Sequence, residues 1–224
     1  MRAKRRSIID SVEGKLCVRP GPRLDSDAID REVCSPKKNW MRKLVLVKHS
    51  LPDIDPVAPS REWRLSDTGR ALCETLADAL AEHHLTAVVT SSEPKAIETG
   101  RIVADKLGVE SEVSEGLQEH DRSNVGFLGA QEFEDRIEEF FATDPGRPVF
   151  GKETAEQANR RFANVIDTIV EAHADGNLAV VTHGTVMALF LHRVAGVEPL
   201  PFWKRFHSLL SSCWPCLSSG SSKW

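Results

Sequence analysis

The sequence predicts an α/β protein, a three-layer sandwich in which a mainly parallel sheet is flanked by helices. Two observations carry this prediction. Short apolar segments alternate with longer amphipathic segments along the chain, and the clearest apolar segments are nearly continuous, as in strands that are buried on both faces. A chain of 224 residues fits one domain with appendages. Its 41% hydrophobic and 28% charged residues are ordinary values for a globular protein.

Strands and helices are expected in alternation from Met41 onwards. Leu44 to Val47 form an apolar run bounded by charges, which is typical of a buried parallel strand. Ser66 is a candidate helix N-cap, Pro94 suits the first turn of a second helix, and Gly108 is a candidate stop for that helix. Further strands are expected over 86–90, 109–113 and 177–182, and helices over 66–84, 94–107, 131–142, 153–174 and 185–195.

The two ends of the chain differ from its centre. Residues 1–40 hold ten Lys and Arg against six Asp and Glu and lack a sustained periodicity, so we expect an N-terminal extension outside the core. Residues 41–206 are expected to form the domain. Residues 207–224 form an anomalous tail, rich in Ser, Cys and Trp, whose composition suits neither a helix nor a strand. We expect this tail to stand in place of a final strand.

Several classes of protein are excluded by the sequence. No segment approaches the roughly 18 apolar residues of a membrane span, and the start lacks a secretory signal. Five cysteines in a chain of this length argue against a disulfide scaffold, so we expect a cytoplasmic protein. The chain after residue 40 is acidic, and an acidic surface disfavours contacts with phosphate groups, so no nucleic-acid partner is expected. Neither metal-ligand spacing nor a nucleotide-binding glycine loop occurs, which predicts no metal and no cofactor, and Cys213 and Cys216 are interpreted as incidental.

Polar side chains follow several of the expected strands. His49 and His183 each come directly after one, the segment Thr90-Ser91-Ser92 leads into Lys95, and Glu119 lies in a polar loop. Because the carboxyl ends of parallel strands meet at one edge of the sheet, these groups are expected to share a pocket. Lys95 would lie in the first turn of a helix, where the helix dipole disfavours a cation, so an anionic partner is expected there.

This set of groups suits phosphoryl transfer. Cations hold the negative phosphoryl oxygens, and an imidazole nitrogen can attack phosphorus to form a covalent intermediate. A carboxyl group can protonate the departing oxygen. The helix expected after His183 adds backbone donors and a favourable dipole for an anion.

The motifs around these residues resemble those of the histidine phosphatases, the superfamily that includes cofactor-dependent phosphoglycerate mutase. The resemblance covers about Met41 to Arg205 and rests on four motifs in the right order, with support from a Leu-x-x-x-Gly segment. The four motifs are Lys48-His49-Ser50 in place of Arg-His-Gly, Thr90 to Thr99 as the Thr-Ser strand end and helix start, Leu117-Gln118-Glu119 as the acid motif, and Val180 to Gly184 as the His-Gly strand end. The supporting segment is Leu65 to Gly69.

The resemblance implies a phosphoglycerate mutase-like fold and a role for each site residue. His49 would be the nucleophile, His183 would stabilise the transferred phosphoryl group, and Glu119 would donate the proton. Phosphate binding would fall to Lys48, Lys95 and Ser50. The lysines stand where the family uses arginine, which keeps the charge but loses the bidentate fork.

The expected function is metal-independent hydrolysis of a phosphomonoester through a phosphohistidine intermediate on His49. The substrate would be a phosphorylated small molecule or a phosphoprotein. Two alternatives stay open: phosphoglycerate mutase-type transfer, and a non-catalytic phosphate-binding or interaction module on the same fold. For the proton donor, His120, Asp121 and Glu153 are alternatives to Glu119.

Overall fold

The structure is a computed structural model that describes residues 42–206 in full. It also describes the backbone of residues 9–12, 15–18 and 207–211. The remaining residues, which include Cys213 and Cys216 and most of the expected tail, lie outside the described part of the chain.

Six described strands form one sheet in the order β1-β2-β3-β6-β4-β5. The four strands β3, β6, β4 and β5 run parallel, whereas β1 and β2 pair antiparallel at the edge next to β3. The strands are β1 (Ile9–Val12), β2 (Lys15–Val18), β3 (Leu44–Lys48), β4 (Leu85–Ser91), β5 (Glu110–Ser114) and β6 (Asn177–Thr182). The prediction of a mainly parallel sheet in an α/β fold is confirmed.

Six described helices cover the two faces of this sheet. They are α1 (Asp67–Ala81), α2 (Pro94–Leu107), α3 (Ala130–Ala142), α4 (Ala155–Ala172), α5 (Gly184–Ala195) and α6 (Pro199–Ser211). A short 3₁₀ turn, Ser60–Glu62, precedes α1. No described helix has the length and apolarity that crossing a membrane would need.

The central strands separate two apolar cores. Val45 and Val47 of β3 face α1 and α2, while Leu44 and Leu46 face the larger core that α3, α4, α5 and α6 build. All four side chains are buried. A strand that is buried on both faces needs apolar residues at every position, which explains why the sequence of β3 is continuous rather than alternating.

The start of α1 and both ends of α2 form as the sequence predicts, whereas α1 ends at Ala81, before the expected residue 84. The hydroxyl of Ser66 accepts a hydrogen bond of 3.0 Å from the backbone N–H of Gly69, which makes Ser66 the N-cap of α1. Pro94 occupies the first turn of α2, and Gly108 ends that helix with a positive φ of 68°.

The described backbone adds elements at both ends of the expected domain, whose boundaries stay a prediction. Residues 9–12 and 15–18 form strands that extend the sheet, although no strand was expected within residues 1–40. These four-residue segments are too short to show a period, and partners far along the chain decide their pairing. In addition, α6 continues to Ser211, past the expected boundary at 206, because an established helix extends by one hydrogen bond per added residue.

Candidate active site

The structure brings the two histidines together at the carboxyl edge of the sheet. His49 follows β3 and His183 follows β6, and these neighbouring strands run parallel. The centroids of the two imidazole rings lie 5.1 Å apart, with a tilt of 57° between the ring planes. Both side chains are buried, at 7% and 1% exposed. The two imidazoles therefore lie side by side at this edge of the sheet, largely shielded from solvent.

The hydrogen bond of His49 defines which ring nitrogen is available for chemistry. Nδ1 lies 2.7 Å from the backbone carbonyl oxygen of Ser50. A carbonyl oxygen can only accept, so Nδ1 carries the proton, and Nε2 of the neutral ring keeps its lone pair. Burial lowers the pKa of His49 well below its ordinary value, and the nearby Lys48, His183 and Lys95 lower it further. His49 is therefore an uncharged imidazole at neutral pH.

Among the described residues, the imidazole ring of His183 has polar partners at only one of its two nitrogens. Nε2 lies 2.8 Å from the hydroxyl oxygen of Ser91 at the end of β4 and 3.4 Å from Oε1 of Glu93. Nδ1 is buried and has no hydrogen-bond partner in the described part of the chain. Burial lowers the pKa of His183 well below its ordinary value, and Lys95 contributes in the same direction.

Lys95 pairs with a carboxylate of its own segment, and its predicted contact with phosphate stays a prediction. Nζ donates a hydrogen bond of 2.5 Å to Oε2 of Glu93 and one of 2.7 Å to the backbone carbonyl of Ser60. The Lys95 residue is only 5% exposed. The other carboxylate oxygen of Glu93 accepts a hydrogen bond of 2.9 Å from the backbone N–H of Glu119. Glu93 thus neutralises Lys95 and connects α2 with the loop that carries Glu119.

Lys48 differs from Lys95 in having no such partner. Its Nζ makes no hydrogen bond and no ion pair within the part of the chain that the structure describes. Burial lowers the pKa of Lys48 to about 8, with Glu119 opposing this shift and Lys95 adding to it. The ammonium group is therefore charged at neutral pH and available to an anion.

Glu119 lies against the start of α5. Its Oε1 accepts hydrogen bonds from the backbone N–H groups of His120 (2.9 Å) and Val186 (3.2 Å), and its Oε2 accepts one from Thr185 (3.1 Å). Burial alone would raise the pKa of Glu119, but the positive Arg122 and these N–H donors outweigh it and bring the pKa below its ordinary value. The side chain is a carboxylate at neutral pH in this structure.

A second arginine fixes the loop that carries Glu119. The guanidinium of Arg161 on α4 donates to the backbone carbonyls of Gly116 (2.8 Å), Gln118 (3.0 Å) and Glu119 (3.3 Å). It also pairs with both carboxylate oxygens of Glu153, at 2.8 Å each. Arg161 therefore determines the path of the backbone on either side of Leu117, whose side chain is buried.

The alternatives to Glu119 as proton donor have other surroundings. His120 packs between Phe140 and Phe150, and its Nε2 donates to the backbone carbonyl of Glu153 at 2.6 Å. Glu153 is occupied by Arg161. Asp121 is exposed. The role of Glu119 stays a prediction, but none of the three alternatives combines a free carboxyl or imidazole group with a position beside the histidine pair.

Ser50 uses its polar groups within the protein. Its hydroxyl donates a hydrogen bond of 2.8 Å to the backbone carbonyl of Gly69, and its backbone N–H donates one of 3.0 Å to the hydroxyl of Thr99. The hydroxyl proton is directed at the first turn of α1. The predicted contact between Ser50 and a phosphate stays a prediction, and this geometry does not favour it.

Sequence reasoning missed Glu93 and Arg161. A glutamate beside a strand end and an arginine on an amphipathic helix are usually solvated, so neither residue stands out alone. The signal that could have indicated Glu93 was the expected anionic partner of Lys95, two residues away. Within the described residues, no group of three or more His, Cys, Asp or Glu side chains is placed to hold a metal ion.

The family of the chain follows from its match to a family model. The model of the histidine phosphatase superfamily (branch 1) matches residues 56–222, which is most of the chain. The chain belongs to the histidine phosphatase superfamily. The match begins after His49, so the placement of this histidine in the family pattern rests on the motif and on the geometry described above. No curated protein is significantly similar in sequence to this chain.

Solved structures of the same fold include enzymes that act on phosphate esters. A mycobacterial glucosyl-3-phosphoglycerate phosphatase is 17% identical, with a TM-score of 0.59 over 73% of this chain and 84% of its own chain. A Bacillus anthracis phosphoglycerate mutase is 18% identical, with a TM-score of 0.56 over 68% and 79%. Bacillus stearothermophilus YhfR is 20% identical, with a TM-score of 0.57 over 71% and 83%. At these identities, the similarity establishes the phosphoglycerate mutase-like fold.

Proposed function

We propose that this protein is a metal-independent phosphatase that hydrolyses phosphomonoesters through a covalent phosphohistidine on Nε2 of His49. The observation that carries the proposal is the hydrogen bond from Nδ1 of His49 to the carbonyl of Ser50. It leaves a lone pair on Nε2, in a pocket that also holds His183 and the unpartnered ammonium of Lys48. A neutral nucleophile beside a cation is suited to attack on an anionic phosphorus centre.

In the first step, Nε2 of His49 forms a bond to phosphorus while the bond from phosphorus to the ester oxygen breaks. The departing oxygen takes a proton from the carboxyl group of Glu119 and leaves as an alcohol. In the second step, water attacks the phosphohistidine, Glu119 recovers a proton from that water, and inorganic phosphate is released. Each group returns to its starting state, so the two steps balance.

Glu119 must be protonated to act in the first step, although its surroundings favour the carboxylate. A bound phosphoryl dianion would raise the pKa of Glu119, because a like charge nearby disfavours the charged form of a carboxyl group. The proposal therefore expects Glu119 to gain its proton in the substrate complex.

Hydrolysis is favoured over transfer to a second substrate by the charge of the pocket. Glu93 neutralises Lys95, so Lys48 is left to attract the phosphoryl oxygens. A mutase must also hold the anionic groups of a bound intermediate, for which Arg122 is the further cation that acts on His183. By analogy with the glucosyl-3-phosphoglycerate phosphatase, a phosphorylated small molecule is the proposed substrate, and a phosphoprotein is the alternative.

The test is phosphate release from an aryl phosphate in the presence of a chelator, combined with detection of phosphoenzyme on an alkaline gel, on which phosphohistidine survives. The native chain is expected to release phosphate and to carry an acid-labile label. His49→Ala is expected to do neither. The matched control is His192→Ala, an exposed histidine on α5 whose ring contacts the backbone of Val197. This variant is expected to behave as the native chain does.

Each other outcome has a definite meaning. Activity retained by His49→Ala would show that another group is the nucleophile, and activity abolished by the chelator would contradict the metal-independent mechanism. If the labelled phosphoryl group passed to a second acceptor instead of water, the mutase alternative would be favoured. A folded native chain that forms no phosphoenzyme with any of a panel of phosphate esters would favour a binding module.

A further inference from the structure

Glu93 contacts three parts of the pocket, although the proposed reaction assigns it no step. Its Oε2 pairs with Lys95, and its Oε1 accepts from the backbone N–H of Glu119 and lies 3.4 Å from Nε2 of His183. The Glu93 residue is only 7% exposed. A buried carboxylate next to an imidazole ring favours the charged form of that ring, since an opposite charge nearby stabilises an ion.

The two nitrogens of His183 have different surroundings. Nε2 faces the hydroxyl of Ser91 and the carboxylate of Glu93, whereas Nδ1 is buried without a partner in the described residues. A neutral imidazole donates from one nitrogen only, but an imidazolium donates from both. A protonated His183 would donate from Nε2 towards Ser91 and Glu93 and would keep a second N–H on Nδ1 for a ligand oxygen.

The charges around His183 come from two elements and one loop. In the pocket as described, cations and burial hold its pKa low, so the ring is neutral. A phosphoryl dianion adds two negative charges and reverses this balance. The charged and titratable groups that act on His183 are Lys48 and His49 at the end of β3, Glu93 and Lys95 at the start of α2, and Glu119 and Arg122 in the loop after β5.

We propose that Glu93 is a positioning residue through which His183 takes up one proton from solvent when a tetrahedral dianion enters the pocket. The inference rests on the proposed function, because it takes this pocket as the phosphoryl site. The resulting imidazolium donates from Nε2 towards Glu93 and from Nδ1 to an oxygen of the anion. Glu93 thus compensates the new charge on His183 and holds the ring in the orientation that its contact with Ser91 defines.

Nitrogen-15 NMR of the histidine side chains tests this directly, with the full chain labelled on histidine and titrated with sulfate. Sulfate is a tetrahedral dianion that carries no titratable proton near neutral pH, so any proton taken up belongs to the protein. At pH 7.5, the ring nitrogens of His183 are expected to shift from the neutral to the imidazolium pattern as sulfate binds. The signals of His183 are assigned by their absence from the spectrum of the His183→Asn variant. Sulfate affinity is expected to fall, as the pH rises, by up to about tenfold per pH unit for each proton that is taken up on binding.

Glu93→Gln isolates the carboxylate charge, since glutamine keeps the shape of the side chain. In this variant His183 is expected to stay neutral with sulfate bound, and sulfate affinity is expected to change less with pH than in the native chain below pH 7.5, before Lys48 loses its proton. Glu93→Asp, which keeps the charge, should restore both in part. The matched control is Glu98→Gln on the same helix, because Glu98 pairs with Arg64 and Arg70 instead of a pocket residue. It should behave as the native chain does.

The measurement on the native chain is decisive even if Glu93→Gln fails to fold. A neutral His183 at saturating sulfate would overturn the proposal, as would the absence of sulfate binding. If His183 became an imidazolium to the same extent in Glu93→Gln, Glu93 would have no role in this proton uptake. The outcome is separate from that of the phosphoenzyme assay. Proton uptake without hydrolysis would contradict the proposed function alone, and hydrolysis with a neutral His183 would contradict this inference alone.

Discussion

The carboxylate of Glu119 accepts a hydrogen bond of 3.1 Å from the backbone N–H of Thr185, in the first turn of the helix that follows His183. Oε1 of the same carboxylate accepts from the backbone N–H of Val186 in that turn. A negative group at this position satisfies free N–H donors and interacts well with the helix dipole. The proposed proton donor therefore also caps α5, so its protonation state and the stability of the fold are linked.

Replacing Glu119 by Gln is expected to destabilise the fold by about 1–3 kcal/mol at neutral pH, because the amide NH₂ group would face a backbone donor. The folded-state pKa of Glu119 is lowered from 4.5, so its contribution is present above pH 4.5 and is lost as the pH falls through the folded-state value. The difference in unfolding free energy between the native chain and Glu119→Gln should shrink below pH 4.5. Urea denaturation at pH 7 and at pH 4 or below measures it. A difference that does not change with pH would contradict the linkage.

Lys48 is expected to produce an alkaline limb in the pH profile of kcat/KM. Its pKa is lowered to about 8, so the ammonium that attracts the phosphoryl group loses its proton above that pH. Activity should then fall by about tenfold per pH unit, because kcat/KM follows ionisations of the free enzyme. Lys48→Arg should remove this limb, since arginine stays charged. Initial rates on an aryl phosphate between pH 6 and 10 give both profiles.

Lys106→Arg is the matched control for this profile. Lys106 lies on the surface of α2, where it pairs with Asp78 and Glu74 of α1. It should leave the alkaline limb unchanged. If Lys48→Arg kept the native limb, another group would be responsible for it, and Lys48 would not be the cation that the reaction requires.

The sequence predicts the centre of this fold better than its ends. Leu44 to Val47 and Asn177 to Thr182 form buried parallel strands, and a run of apolar residues is a local signal for that. Residues 9–12 and 15–18 offer no such signal, because short strands at a sheet edge are decided by their partner across the ladder. The parallel core was therefore predictable, whereas the antiparallel edge was not.

Some residues of the site were likewise predictable from the sequence, and others were not. His49 and His183 were predictable because a residue that follows a parallel strand falls at a known edge of the sheet. Glu93 and Arg161 were not, because their burial depends on partners that the fold brings in. Arg161 reaches the carbonyl of Gly116, which lies 45 residues earlier in the chain. Spacing within a motif carries no information about such a contact.

Arg161→Met is expected to lower kcat more than it raises KM. The guanidinium holds the backbone around Glu119, so its loss moves the proposed proton donor without removing a group that binds phosphate. It also leaves Glu153 without its bidentate partner, for an expected loss of about 1–3 kcal/mol of stability. Arg161→Lys keeps the charge but not the fork, so an intermediate effect is expected. Steady-state kinetics and urea denaturation measure the two effects.

The neighbouring Arg160 provides the matched control for this experiment. Arg160 is exposed and pairs with Glu156 one turn earlier on α4. Arg160→Met should change the unfolding free energy by no more than about 0.5 kcal/mol and leave kcat unchanged. Equal effects of the two substitutions on kcat would show that Arg161 does not position the loop.

Gly69→Ala is expected to be strongly destabilising. A Cβ atom at this position would lie 2.1 Å from the backbone carbonyl oxygen of Leu51, so the first turn of α1 could not approach the loop after His49. The carbonyl of Gly69 also accepts from Ser50, which places the strain next to the proposed nucleophile. Gly126→Ala, with no atom within 4 Å of its added Cβ, is the control and should be well tolerated. Thermal melts compare them, and equal melting temperatures would contradict the close approach.

Removal of residues 1–41 tests whether the antiparallel edge protects the sheet. In the structure, β2 pairs with β3 so that Leu16 lies opposite Leu46 and Cys17 opposite Val45. Without β1 and β2, the outer N–H and C=O groups of β3 would be exposed, and an open apolar edge strand promotes association between chains. A loss of about 2 kcal/mol would lower the melting temperature by roughly 4–8 °C in a domain of this size.

Removal of residues 1–8 alone is the control, because it ends before β1 and keeps both edge strands. Melting curves and light scattering should separate the two deletions, with aggregation confined to the longer one. If the chain that lacks residues 1–41 stayed monodisperse with a native melting temperature, β1 and β2 would add nothing to the sheet. The sheet edge formed by Leu44–Lys48 would then have to be stable without a neighbouring strand, by virtue of its contacts with β6 and the helices alone.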